Sequence, residues 1–117
     1  MSGKDNVEIA AMYEAAAIAH SRATERGDSS EANKAYEIIA GAYRELRSRG
    51  REAQSTLLPL LESLEPGVRC WAAAHALEFA PERGRAVLET LSKEPPWIGI
   101  DAKTTLKVWR EGKLKFP

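Results

Sequence analysis

All six prolines of this chain fall in its second half, at Pro59, Pro66, Pro81, Pro95, Pro96 and Pro117, and no segment alternates apolar and polar residues in steps of two. A proline has no amide hydrogen to give to a helix interior or a sheet ladder, so it is tolerated in a first helical turn and disruptive further in. Together these features predict an all-α protein whose second half is made of short helices bounded by prolines. The spacing places them at about 52–63, 67–79, 82–93 and 101–111. Pro66 and Pro81 suit first helical positions. Pro59 lies inside Leu57-Leu58-Pro59-Leu60-Leu61 and must kink or delay its helix.

The first half has no proline and reads as two longer helices. Asp5 is placed to cap the first, with Glu8 reaching back to complete a capping box. That helix runs to about Glu25, and Gly27 supplies a left-handed stop. Its alanines, Ala10, Ala11, Ala15, Ala16, Ala17 and Ala19, favour helix and permit close approach of a neighbour. Asp28-Ser29-Ser30-Glu31 caps a second helix, in which Ala32, Ala35, Tyr36, Ile39, Tyr43 and Leu46 recur at three- and four-residue steps as a buried stripe. Gly50 ends it. The expected organisation is one domain over 1–117, with an antiparallel helical hairpin over 1–50 and shorter helix pairs with a C-terminal tail over 51–117. In the tail, Leu114 and Phe116 are expected to pack back on the last helix.

A chain of 117 residues with 44% apolar and 29% charged side chains has the composition of a protein that folds alone. Seventeen Lys and Arg balance seventeen Asp and Glu, which disfavours an autonomous nucleic-acid binder. The single cysteine, Cys70, has no internal disulfide partner, and Met1-Ser2-Gly3-Lys4-Asp5-Asn6 lacks the order of a secretory signal, so a cytoplasmic location is expected. The apolar stretch Ile9 to Ala19 falls far short of the roughly 20 residues of a membrane span.

The second half also looks internally repeated. Leu61 and Leu64 correspond to Leu88 and Leu91, and Ala73 and Leu77 to Ala102 and Leu106, in a unit of about 28 residues. The run Leu57-Leu58-Pro59-Leu60-Leu61, followed by Pro66-Gly67-Val68-Arg69-Cys70-Trp71-Ala72-Ala73-Ala74-His75-Ala76-Leu77, resembles the HEAT pattern of a Leu-rich first helix and an Ala-rich second helix. More narrowly, the stretches Val68 to Pro81 and Thr105 to Pro117 look like those of a bacterial HEAT-like family of small proteins with no established general activity. The resemblance spans roughly residues 36–117. It implies two short HEAT-like helix pairs in an α-solenoid-like arrangement. Because such proteins are often encoded beside polymorphic toxins, it also implies an immunity-like role. It supplies no catalytic residues.

The residues themselves offer little chemistry. There is neither a phosphate-cradling Gly-x-x-x-x-Gly-Lys-Ser/Thr loop nor a Gly-x-Gly-x-x-Gly turn, and Cys70, His20 and His75 fall short of the four ligands of a structural zinc site. No cofactor or metal is expected. Cys70 and His75 lie about 140 degrees apart around an ideal helix, so they do not pair as thiolate and imidazole. Cys70 is expected to be a small packed residue, and His20 to interact with the carbonyl end of the first helix. The acidic pairs Glu62 with Glu65 and Glu78 with Glu82 read as solvated faces with no nucleophile beside them. The chain is therefore expected not to be an enzyme.

Its expected partner is another protein, with a cognate toxin as the specific form. Val68, Ala72, Ala76 and Phe79, widened by Ala73 and Leu77, form the core stripe of their helix. Trp71, Ala74, His75 and Glu78 form an adjacent stripe, where Trp71 is a rigid anchor and His75 and Glu78 are polar contacts. Trp109 is expected in the core with Ala102, Thr105 and Leu106, and Trp97 in a loop after Pro95-Pro96. Positive charge is dense at Arg44, Arg47, Arg49 and Arg51, and again at Lys103, Lys107, Arg110, Lys113 and Lys115. The alternative reading is a nucleic-acid scaffold that contacts its ligand through Arg44, Arg47, Arg51, Lys107 and Arg110.

Overall fold

The computed structural model describes residues 3–94 and 96–117, with the side chains of residues 96–98 excepted. Every regular element among the described residues is helical. The molecule divides into two compact units, one comprising Met1–Leu57 with Pro117 and the other Leu58–Phe116.

In the first unit, α1 (Asn6–Glu25) starts where the Asp5 carboxylate accepts from the Glu8 amide at 2.8 Å and the Asp5 amide donates to Glu8 Oε1 at 3.2 Å. It stops at Gly27, whose φ of 72° lets the Gly27 amide reach the Thr24 carbonyl and the Asp28 amide reach that of Ala23. These two bonds satisfy carbonyls that a helix end otherwise leaves unpaired. Asp28 then caps α2 (Ser29–Arg49) by accepting from the Glu31 amide at 3.0 Å.

The two helices pack on each other through small and apolar faces. Ile9, Tyr13, Ala16, Ala17 and Ala23 are buried on α1, and Ala35, Ile39, Ala42, Tyr43 and Leu46 on α2. Arg49, at the end of α2, donates to the Lys4 carbonyl at 2.7 Å and to Asn6 Oδ1 at 3.2 Å, so the end of α2 meets the start of α1. Tyr36 departs from the expected stripe and is 39% exposed. The buried line steps from Ala35 by four to Ile39 and again to Tyr43, and Tyr36 is rotated about 100 degrees off it.

The helix expected over 52–63 is replaced by one turn, α3 (Arg51–Gln54), and a 3-10 segment (Ser55–Glu62) that contains Pro59. Pro59 cannot donate to the Ser55 carbonyl, and its ring would collide with that carbonyl in an α-helix. Hydroxyl groups bond backbone oxygens at the changeover, Ser55 Oγ to Arg51 at 2.9 Å and Thr56 Oγ1 to Ala53 at 2.6 Å. Gln54 is buried and bonded to Tyr43 of α2, and the division between units falls after Leu57 rather than after Gly50.

The second unit holds α4 (Pro66–Phe79), α5 (Pro81–Leu91) and α6 (Pro96–Arg110), with α4 packed on both others and α5 on α6. Pro66 and Pro81 open their helices, as their spacing predicts. Helix α6 begins five residues before the expected 101, because Pro96 also takes a first helical position; Trp97 thus lies in a helix instead of a loop, with its side chain outside the described residues. Its other end is closed by Gly112, at φ 72°, with the Lys113 amide bonded to the Val108 carbonyl. Leu114 and Phe116 are half-buried.

Helices α4 and α5 touch backbone to backbone. A Cβ at Gly84 would sit 2.6 Å from the Ala73 carbonyl oxygen and 3.0 Å from the Leu77 amide nitrogen. Three of the four repeat correspondences agree in burial: Leu61 with Leu88, Ala73 with Ala102, and Leu77 with Leu106. The fourth fails, since Leu91 is buried and Leu64 is 97% exposed in the turn before α4.

Candidate functional site

Helix α4 carries the stripe that the sequence singles out, and the structure splits it. Glu78 is exposed, Trp71 and Ala74 are half-buried, and His75 is buried at 4% exposure. The Trp71 and His75 rings lie 6.0 Å apart between centroids and are inclined by 31°, within the range of a favourable aromatic contact. His75 is therefore not a surface contact, and its place is against the Trp71 indole. The reason is visible in the spacing. Val68, Ala72, His75 and Phe79 step by four, three and four residues, and all four are buried. Position 75 falls on the core line.

Trp71 and Glu78 remain as the accessible members. The indole is held at one side by a buried ring, and the carboxylate follows two turns later on the same helix. Such an arrangement offers a partner a large, conformationally restricted apolar surface with a charge beside it. Trp109 of α6 is half-buried, short of the core position expected for it, while Ala102 and Leu106 are buried.

Cys70 is half-buried on α4. Burial pushes its thiol up from 9.0 to about 11, and the Asp101 carboxylate adds to the shift. At neutral pH it is a protonated thiol, the opposite of what nucleophilic chemistry needs. His20 is half-buried in α1, five residues before its last residue, Glu25. Among the described residues, no group of three or more His, Cys, Asp or Glu is arranged to hold a metal ion, and no helix is long and apolar enough to cross a membrane.

The two basic clusters differ in character. In the first unit, Arg44 and Arg51 are exposed, whereas Arg47 and Arg49 are half-buried and engaged in the fold. The Arg47 guanidinium lies 5.6 Å from the centre of the Tyr43 ring and donates to the Pro117 carbonyl. Arg49 Nε bonds Glu45 at 2.8 Å while its Nη1 donates to both groups at the start of α1. These two side chains are committed to packing and leave little for a ligand.

In the second unit, Lys103, Lys107 and Arg110 of α6 border a surface groove of about 480 Å3, together with Leu106, Glu111 and Glu89 of α5. Arg110 pairs with Glu89 at 3.1 Å, and Glu89 also receives Arg85 at 2.8 Å. The cations are visible in the sequence, whereas the groove is formed by the packing of α5 on α6.

The chain belongs to a family described as a domain of unknown function, DUF2019, whose model matches residues 7–109. It is similar to the crystal structure of the protein RPA1889 from Rhodopseudomonas palustris CGA009, at 26% identity over 97% of this chain and 94% of that one, with a TM-score of 0.87. No curated protein is a significant match.

Proposed function

Starting from that family membership and the geometry of α4, we propose that this protein is a non-catalytic protein-binding module. The observation that carries the reading is Trp71, half-exposed and held against the buried ring of His75, with Glu78 exposed on the same helix. A preformed surface of this kind loses little conformational entropy on docking, so its anchors translate into slow dissociation.

In its specific form, the module is an immunity-like protein of the bacterial cytoplasm that neutralises a cognate toxin by steric occlusion. The support for this is the resemblance of Val68 to Pro81 and Thr105 to Pro117 to small HEAT-like proteins. On the same reading α4, α5 and α6 belong to HEAT-like stacked pairs and α1 with α2 is an N-terminal hairpin. The matched burial of Ala73 with Ala102 and of Leu77 with Leu106 favours such a repeat.

The test is affinity capture from the native cell with the tagged chain and with its Trp71→Ala/Glu78→Ala form, alongside circular dichroism. The reading expects a protein retained by the first and lost by the second at equal helicity. Equal retention by both would show that this surface does not hold the partner.

A further inference from the structure

Residues 102–117 carry Lys103, Lys107, Arg110, Lys113 and Lys115 against the one carboxylate of Glu111, in a chain whose formal charge is zero. Arg110 is tied to Glu89. Lys103 and Lys107 are different: both are exposed, they stand one helical turn apart at the α5–α6 groove, and neither enters an ion pair among the described residues.

We propose that this groove receives an acidic stretch of a protein partner, with Lys103 and Lys107 pairing with carboxylates of that stretch. The proposal rests on the protein-binding reading and adds the chemistry of the partner. Residues one turn apart on a helix face have Cβ atoms about 5–6 Å apart. Side chains on one face of an extended segment are about 6.6 Å apart, two residues at roughly 3.3 Å each. Two flexible lysines reach that spacing, so acidic residues at alternate positions suit the pair.

The other borders of the groove select against a nucleic acid. Glu89 and Glu111 place carboxylates beside the lysines, and a phosphate backbone, which bears a charge at every step, would be repelled there. A polypeptide avoids the conflict by putting an uncharged or basic side chain opposite those positions.

The experiment uses the full chain and fluorescence anisotropy at low salt. The probes are a fluorescein-labelled peptide of alternating Glu and Ser, a matching Lys and Ser peptide, and a single-stranded oligothymidylate of the same charge as the first. The acidic peptide is expected to bind, the basic one to fail, and Lys103→Glu/Lys107→Glu to weaken the acidic peptide about tenfold or more. Lys103→Gln/Lys107→Gln is expected to give a smaller loss in the same direction, and circular dichroism checks that both forms keep their helices. No binding of the acidic peptide, an affinity unmoved by the charge reversal, or tighter binding of the oligothymidylate would each overturn the proposal. None of the groove residues belongs to α4. Peptide binding lost while Trp71-dependent capture persists removes the groove alone, and the converse removes the α4 surface alone.

Discussion

The side-chain amide of Gln54 donates to the hydroxyl of Tyr43 at 3.0 Å, and both residues are buried. This bond links α3 to the packed face of α2, and it accounts for a polar side chain inside the first unit. Tyr43→Phe leaves the Gln54 amide without that acceptor, and an unsatisfied buried group costs about 1–3 kcal/mol. Tyr43→Phe is therefore expected to lower unfolding free energy by that order in urea titrations. Adding Gln54→Leu should recover part of the loss, because no donor is then stranded. Additive losses in the double variant would contradict the pairing.

Gly84→Ala tests the contact of α4 with α5. Helix propensity alone would favour alanine by about 1 kcal/mol. The added methyl would instead meet the Ala73 carbonyl oxygen at 2.6 Å, in a place where both sides are backbone. Overpacking of this kind costs about 1–3 kcal/mol. Thermal unfolding should show destabilisation, and an unchanged or higher Tm would mean that the helices are less close than described.

Cys70 should be slow to alkylate in the folded protein. With its thiol raised to about 11, the thiolate fraction at mildly alkaline pH falls about a hundredfold, and the greater nucleophilicity of the more basic thiolate returns part of that. Iodoacetamide labelling at pH 8 is expected to run about tenfold to a hundredfold slower than in urea-unfolded chain. The same shift links to stability. The folded state holds the proton more tightly, so this contribution is complete below the unfolded value of 9.0 and is lost as pH rises towards about 11. Cys70→Ala should lose stability less steeply across that window, and parallel profiles would contradict the shift.

Arg69 Nε is buried with no hydrogen-bond partner. Replacing a stranded donor by an apolar group of similar length removes a desolvation cost of about 1–3 kcal/mol. Arg69→Met is expected to leave stability unchanged or raise it in urea unfolding. A loss above about 1 kcal/mol would show that the guanidinium is satisfied.

The sequence made some of these features legible and hid others, for physical reasons. Local signals carried through: the capping box of Asp5 with Glu8, the left-handed stop at Gly27 and the opening prolines Pro66 and Pro81 depend on neighbours in the chain. Pro59 announced a disturbance, and the structure resolves it as a 3-10 segment. Gly84 and the α5–α6 groove were out of reach, since each is created by a second helix that no spacing identifies. His75 is buried rather than on the surface expected for it. The line Val68, Ala72, His75, Phe79 is a core spacing, but a titratable ring invites assignment to the surface.

The anchoring role proposed for Trp71 is tested by the Kd of the captured partner, measured by isothermal titration calorimetry for the unaltered chain and for Trp71→Ala. Truncating an interface anchor costs about 2 kcal/mol or more, so a loss of about thirtyfold or greater is expected with helicity preserved. A Kd unchanged within error, at the same helicity, would contradict it.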